Sequence, residues 1–141
     1  MIKLTIPSEP IAQGRPRFVS RGKFVSTYDP PKSKAYKELV AQYAREQYHG
    51  KLLEGQLYIV LNVFRSVQKS ISKAERARRL SGVHRPTVKP DIDNYFKAVT
   101  DACTGIIWRD DALITDVKMG KFYSEEPRVE IYVEELCILK I

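Results

Sequence analysis

The chain has 141 residues, of which 43% are hydrophobic, and a net charge of +7, the size expected of one domain (residues 1–141) around one core. Its two cysteines, Cys103 and Cys137, have no CxxC partner, and His49 and His84 are the only histidines. A tetrahedral zinc site therefore lacks ligands, and buried, reduced thiols are expected. No apolar run approaches the roughly 20 residues that span a bilayer, and the N-terminus lacks a signal peptide's apolar stretch of about 7–15 residues, so a cytoplasmic protein without a membrane partner is expected.

In chain order, Ile2 to Ile6 alternates apolar and polar residues, the period of a half-buried strand, and Pro7 and Pro10 stop it. Gln13 to Lys23 reads as a Gly- and Arg-rich loop in which Pro16 limits flexibility. Its Arg15, Arg17, Arg21 and Lys23, taken with Lys32, Lys34 and Lys37, form a group suited to phosphate contacts that position DNA without reading its sequence. Phe24 to Tyr28 predicts a short strand. From about Pro31 to Tyr48 the period becomes helical: Tyr36, Leu39, Val40, Tyr43, Ala44 and Tyr48 form a stripe read as core rather than as a base-stacking platform.

Gln56 to Arg65 is the strongest strand in the chain, β-branched and aromatic, and is expected near the centre of a sheet. Ser72 followed by Glu75 is a capping-box pattern that predicts a basic helix over Lys73 to Leu80. Arg76 and Arg79 on it are a second set of candidate DNA contacts, and Lys89, at the end of the following loop, is a third. A helix from about Asn94 to Cys103, ended by Gly105, precedes a loop with Trp108 and Asp110-Asp111. Strands around Leu113 to Phe122 and Arg128 to Glu134 complete an α+β pattern, a mixed sheet covered by helices.

The charge divides unevenly. Met1 to Lys89 carries 18 Lys+Arg against six Asp+Glu, whereas Pro90 to Ile141 carries six against 11. A basic majority favours a polyanionic partner, because each neutralised phosphate releases condensed counterions. An acidic cluster in such a chain repels DNA unless a cation sits on it. Two unrelated solvated surfaces are the alternative.

That cluster lies in KPDIDNYFKAVTDACTGIIWRDDALITD, Lys89 to Asp116. If the backbone is extended there, Asp91 and Asp93 point to one face, with Asp93 at the N-cap of the next helix and Lys97 one turn later. Asp101 shares a helix face with Asp93 and Lys97 and is expected to orient the lysine; Asn94 either satisfies the helix start or supports a ligand. Asp110 and Asp111 return after the Gly105 turn. Two or three carboxylates suffice for Mg²⁺, which prefers oxygen ligands and keeps several waters. Such an ion neutralises a phosphodiester, activates water and stabilises a leaving oxygen, and a nearby Lys adds a point charge. A lone DxD is weak evidence, because turns and caps use Asp constantly. The calcium-loop alternative fails, since Tyr95 and Phe96 occupy its fifth and sixth positions. Trp108 beside Ile106 and Ile107 is expected in the core rather than against a base.

The string Pro90-Asp91-Ile92-Asp93-Asn94-Tyr95-Phe96-Lys97, then Asp101-Ala102, Gly105, Trp108 and Asp110-Asp111, resembles the active-site segment of the RusA family of Holliday-junction resolvases. Pro10 to Arg17, PIAQGRPR, is similar to that family's opening loop. The resemblance implies an α+β homodimer that resolves four-way DNA junctions by paired nicks with Mg²⁺. It further implies Asp91, Asp93 and Asp111 as metal-binding carboxylates, with Asp110 the alternative to Asp111, and Lys97 as the catalytic lysine. A nuclease for flaps or forks, and a non-catalytic protein that binds branched DNA, are the competing readings.

Overall fold

A computed structural model describes residues 1–14, 17–22 and 24–136; for 17–19, 21 and 24–28 it describes the backbone alone. The expected contacts of Arg15, Arg17, Arg21 and Lys23 therefore lie outside the described side chains, as does Cys137. Among the described residues the architecture is α+β: one mixed four-stranded sheet, a separate two-stranded hairpin and three helices.

β1 (Ile2–Ile6), β4 (Leu57–Ser66), β5 (Ile114–Ser124) and β6 (Arg128–Glu135) form the sheet in the order β1-β6-β4-β5. β6 runs antiparallel to β1 and β4, whereas β4 and β5 are parallel. β4 thus has a neighbour on each side, as its composition predicts. β2 (Arg17–Arg21) and β3 (Phe24–Tyr28) pair antiparallel. The loop expected over Gln13 to Lys23 is corrected accordingly. Gly22, in the left-handed region at φ 62°, lets the chain reverse there, and hairpin pairing overrides the polar composition.

Alternation puts Leu4, Ile6, Ile59, Leu61, Val63, Val129, Ile131 and Val133 on one sheet face, all fully buried. α1 (Pro31–Gln47) and α3 (Ile92–Cys103) cover that face and pack on each other. α1 contributes Tyr36, Val40 and Ala44 to the core, and α3 contributes Tyr95, Ala98, Val99 and Cys103. Proline fits the first turn of α1, where its missing N–H is not needed. α2 (Lys73–Ser81) starts as predicted: the Ser72 hydroxyl accepts from the Glu75 backbone N–H at 3.1 Å.

Trp108 is fully buried and its Nε1 donates to Thr104 Oγ1 at 3.0 Å. A base-stacking or wedge role would need an exposed ring, so the core reading holds. Cys103 is buried as expected, and burial pushes its thiol up to about 12. No helix among the described residues is long and apolar enough to cross a membrane.

The uncovered sheet face carries a four-layer stack. Arg85 lies 3.9 Å over Phe122, Phe122 stacks on Phe64 at 5.2 Å, and Arg128 lies 3.9 Å over Phe64. A Cβ at Gly120 would come within 2.8 Å of the Phe122 ring, so glycine there gives the ring its seat.

Candidate active site

The acidic segment enters α3 from a loop that the sheet holds from below. Lys121 of β5 donates to the carbonyls of Val88 and Pro90, both at 3.0 Å, and Arg65 of β4 donates to the carbonyl of Lys89 at 3.2 Å. Three consecutive carbonyls are thereby tied to cations from two adjacent strands. Charge-assisted hydrogen bonds thus hold the backbone just before Asp91.

α3 begins earlier than its pattern predicts. Asp91 occupies the N-cap and Asp93 lies within the first turn. The expectation that both project from one face of an extended segment, with Asp93 as the cap, is corrected. The hydrogen bond from Asn94 N–H to the Asp91 carbonyl, 3.1 Å, starts the helical turn there. The Asp91 side chain makes no capping hydrogen bond, which leaves its carboxylate available at the positive end of a 12-residue helix. A negative charge is favoured there, and so is Asp93 one position into the first turn.

Lys97 stands one turn beyond Asp93 and is exposed. Its ammonium lies 3.3 Å from Asp101 Oδ2, and that same oxygen lies 3.3 Å from Lys37 of α1. Lys37 also donates to Asp29 at 3.1 Å, and this hydrogen bond holds the Asp29 carboxyl below its ordinary value. The chain Lys97–Asp101–Lys37–Asp29 matches the role expected of Asp101, since a carboxylate shared by two ammonium groups steers Lys97 and has little capacity left for a metal.

The Asp110-Asp111 pair is divided by a 3-10 turn over Asp111–Leu113. Asp110 caps it: one carboxylate oxygen accepts from Ala112 N–H at 2.9 Å. That bond, followed by one with Asp111, pulls the Asp110 carboxyl below the usual range. Asp111 caps nothing, which makes it the freer of the two.

A cleft of about 540 Å³ opens beside Asp91. Lys32, Arg65 and Lys89 supply positive charge to its lining, and the N-terminal loop supplies Glu9 and Gln13. Gln13 N–H donates to the Asn94 carbonyl at 2.9 Å, tying that loop to the first turn of α3. The loop reading PIAQG and the acidic motif, some eighty residues apart in sequence, are therefore two walls of one cleft. Arg76 and Arg79 stand elsewhere. Arg76 pairs with Glu125 at 3.0 Å, and Arg79 pairs with Glu75 at 3.4 Å while lying over the Tyr123 ring.

The donor set is made of carboxylate oxygens, the hard ligands that suit Mg²⁺. Among the described residues no three acidic, His or Cys side chains are gathered closely enough to enclose an ion. An ion held here would keep positions for water and phosphate oxygens, which is the habit of Mg²⁺.

The family model for endodeoxyribonuclease RusA matches residues 7–134, a span that holds both cleft walls and Asp91, Asp93, Asp110 and Asp111. The chain belongs to the RusA family. It is accordingly an endodeoxyribonuclease by family, and its α+β fold agrees. Similarity extends over nearly the whole length to the uncharacterized protein YqaN of Bacillus subtilis (strain 168), 42% identical over 137 residues and covering 96% of each chain. Within this RusA-family chain, sequence reasoning missed Arg65 and Glu9, which line the cleft, and Lys121, which holds the loop before Asp91. The available signal was faint: Lys121 interrupts the apolar face of β5 that carries Val117 and Met119.

Proposed function

We propose that the protein is a Mg²⁺-dependent endonuclease that resolves four-way DNA junctions by paired, symmetric nicks and works as a homodimer. The observation that carries this reading is the uncommitted Asp91 carboxylate at the mouth of a cleft lined by Lys32, Arg65 and Lys89. Asp91, Asp93 and Asp111 are the carboxylates that would hold the metal, a set that the described structure does not draw together around an ion. When bound, Mg²⁺ neutralises the scissile phosphate and lowers the pKa of water. Lys97, steered by Asp101, places a point charge on the non-bridging oxygens where negative charge develops. Lys32 and Lys89 take flanking phosphates and fix the strand's register without reading bases.

Symmetry supports two sites on one two-fold dimer, because a junction offers two equivalent strands. β5 supports it too. It is a sheet edge with residues 115–119 exposed, including Val117 at 41% and Met119 at 36%. Antiparallel pairing about Val117 would set Asp116 of one copy against Lys118 of the other.

The test is an end-labelled synthetic four-way junction incubated with the protein in Mg²⁺ or EDTA, beside Asp93→Asn. Paired symmetric nicks that need both the metal and Asp93 are expected, with junction binding retained by the variant. Tight binding without product under any divalent metal would refute the catalytic reading. Faster cutting of flaps or forks in a parallel substrate series would move the function to those structures.

A further inference from the structure

Lys37 was grouped by its charge with Lys32 and Lys34, but its surroundings give it a different task. Its side chain is only 18% exposed, and its ammonium lies between two carboxylates, 3.1 Å from Asp29 Oδ2 and 3.3 Å from Asp101 Oδ2. A cation matched in this way is poorly placed to meet a phosphate. Lys97 approaches the same Asp101 oxygen at 3.3 Å, with its side chain 61% exposed. Of the two ammonium groups on that oxygen, Lys37 has two partners and little solvent, and Lys97 has one partner and much solvent. Lys37 is the fixed member and Lys97 the one free to leave.

The fixed member is itself held from behind. Gln13 Nε2 donates to Asp29 Oδ1 at 3.1 Å, and Gln13 N–H donates to the Asn94 carbonyl at 2.9 Å. The run Asn94–Gln13–Asp29–Lys37–Asp101 leaves α3 in its first turn and returns to it about two turns later. An oxygen approached by two ammonium groups holds each less tightly than it would hold one alone, because the cations repel each other at short range. Without Lys37, Asp101 would face Lys97 unshared, and Asp29 would lose its main counter-charge. The Asp29 carboxyl is held below its ordinary value first by the Lys37 hydrogen bond and last by the charge of Lys97, so the field of Asp29 reaches that ammonium. We infer that Lys37 is a positioning residue: by sharing Asp101 it keeps Lys97 tethered beside the acidic motif yet able to move onto a substrate phosphate. The inference rests on the nuclease reading, with Lys97 as the lysine that acts in it.

The experiment measures single-turnover cutting of a four-way junction in Mg²⁺ across a range of protein concentrations. In Lys37→Met the rate at saturating protein should fall about fivefold, the hold of one surface ion pair on Lys97. The half-saturating concentration should change less than twofold. Lys37→Arg keeps a cation between the carboxylates and should retain most of the rate. The deciding variant is Lys37→Met combined with Asp101→Asn, which removes the captor as well as the competitor. It should cut faster than Lys37→Met and match Asp101→Asn alone, a rescue that a purely structural role for Lys37 does not give. Should Lys37→Met fail to fold by circular dichroism, Lys37→Gln takes its place with the same expectations. A Lys37→Met rate equal to wild type overturns the inference, as does a double variant no faster than Lys37→Met. A raised half-saturating concentration at an unchanged rate overturns it too and makes Lys37 a phosphate contact. If the wild type cuts no branched DNA, the nuclease reading falls, and the order parameter of Lys97 Cε in ¹³C-lysine-labelled protein tests the sharing by itself. A higher value in Lys37→Met than in wild type upholds the competition for Asp101, and an equal or lower one sinks it.

Discussion

Replacing Lys121 by methionine tests whether the sheet positions the acidic segment. Lys121 donates to two carbonyls, Val88 and Pro90, each at 3.0 Å, immediately before Asp91. A buried hydrogen bond to a charged group contributes about 1.5–3 kcal/mol. This ammonium is only partly buried, so the two bonds together are worth about 2 kcal/mol after screening. If that energy holds the loop in its competent position, losing it shifts the equilibrium by a factor of about thirty. The single-turnover cleavage rate should fall by up to that factor. A displacement of about 1 Å in a reacting group is enough to cost this much. Junction affinity, measured in an Asp93→Asn background, should change less than threefold. Lys121→Arg keeps charge and donors and should recover most of the rate. A Lys121→Met rate within twofold of wild type would show that Arg65 alone fixes the loop. A weakened Kd at an unchanged rate would instead make Lys121 a phosphate contact.

Asp111→Asn should abolish cleavage while Asp110→Asn, which keeps an oxygen for the Ala112 N–H, should retain it; the reverse result transfers the role to Asp110. Trp108→Ala removes a fully buried side chain and its bond to Thr104, and should destabilise the fold by about 3–5 kcal/mol in urea denaturation; a loss under about 1 kcal/mol contradicts the packing. Asp29 has a folded pKa below its unfolded one because of Lys37, so the pair stabilises the fold above about pH 4 and stops doing so as pH falls through the folded value. Asp29→Asn should therefore reduce the acid dependence of the urea midpoint below that pH, and an unaltered dependence would count against the network. Lys89→Gln should lower the salt slope of junction binding by about one contact, close to 0.9 in log–log form, whereas Arg76→Gln should leave the slope unchanged.

Local chemistry made most elements legible. The Ser72 and Glu75 spacing predicts a helix start and the Ser72 hydroxyl caps it, and the stripe from Tyr36 to Ala44 is the buried face of α1. The errors fall where long-range contacts decide. Asp91 rather than Asp93 caps α3 because the Lys121 and Arg65 contacts end the extended segment two residues sooner than propensity indicates. The Arg-rich segment after Gln13 pairs as a strand because its partner, Phe24–Tyr28, is only a turn away. For the site, the spacing of Asp91, Asp93 and Lys97 and its family likeness were readable in one stretch. The cleft was not, since Glu9 and Arg65, which line it, and Lys121, which holds the loop beside it, carry no local pattern and are remote from that stretch in sequence.

The uneven charge of the sequence has a spatial meaning that a count of residues obscures. Arg76, Arg78 and Arg79 on α2 are balanced by Glu75 and Glu125, and Arg128 is balanced by Glu130. Lys37 and Lys97 share Asp101. Each of these cations would have to leave a carboxylate before it met a phosphate, so its net gain on binding DNA is small. Lys32, Arg65 and Lys89 have no acidic partner among the described residues, and all three line the cleft at Asp91. On the proposed reading, phosphates neutralised by these three cations would release counterions at the face that carries the acidic motif. On the proposed reading that placement reconciles a repulsive cluster with a polyanionic substrate: these three cations would bring the phosphates to the carboxylates, and a divalent ion between them would remove the repulsion that remains.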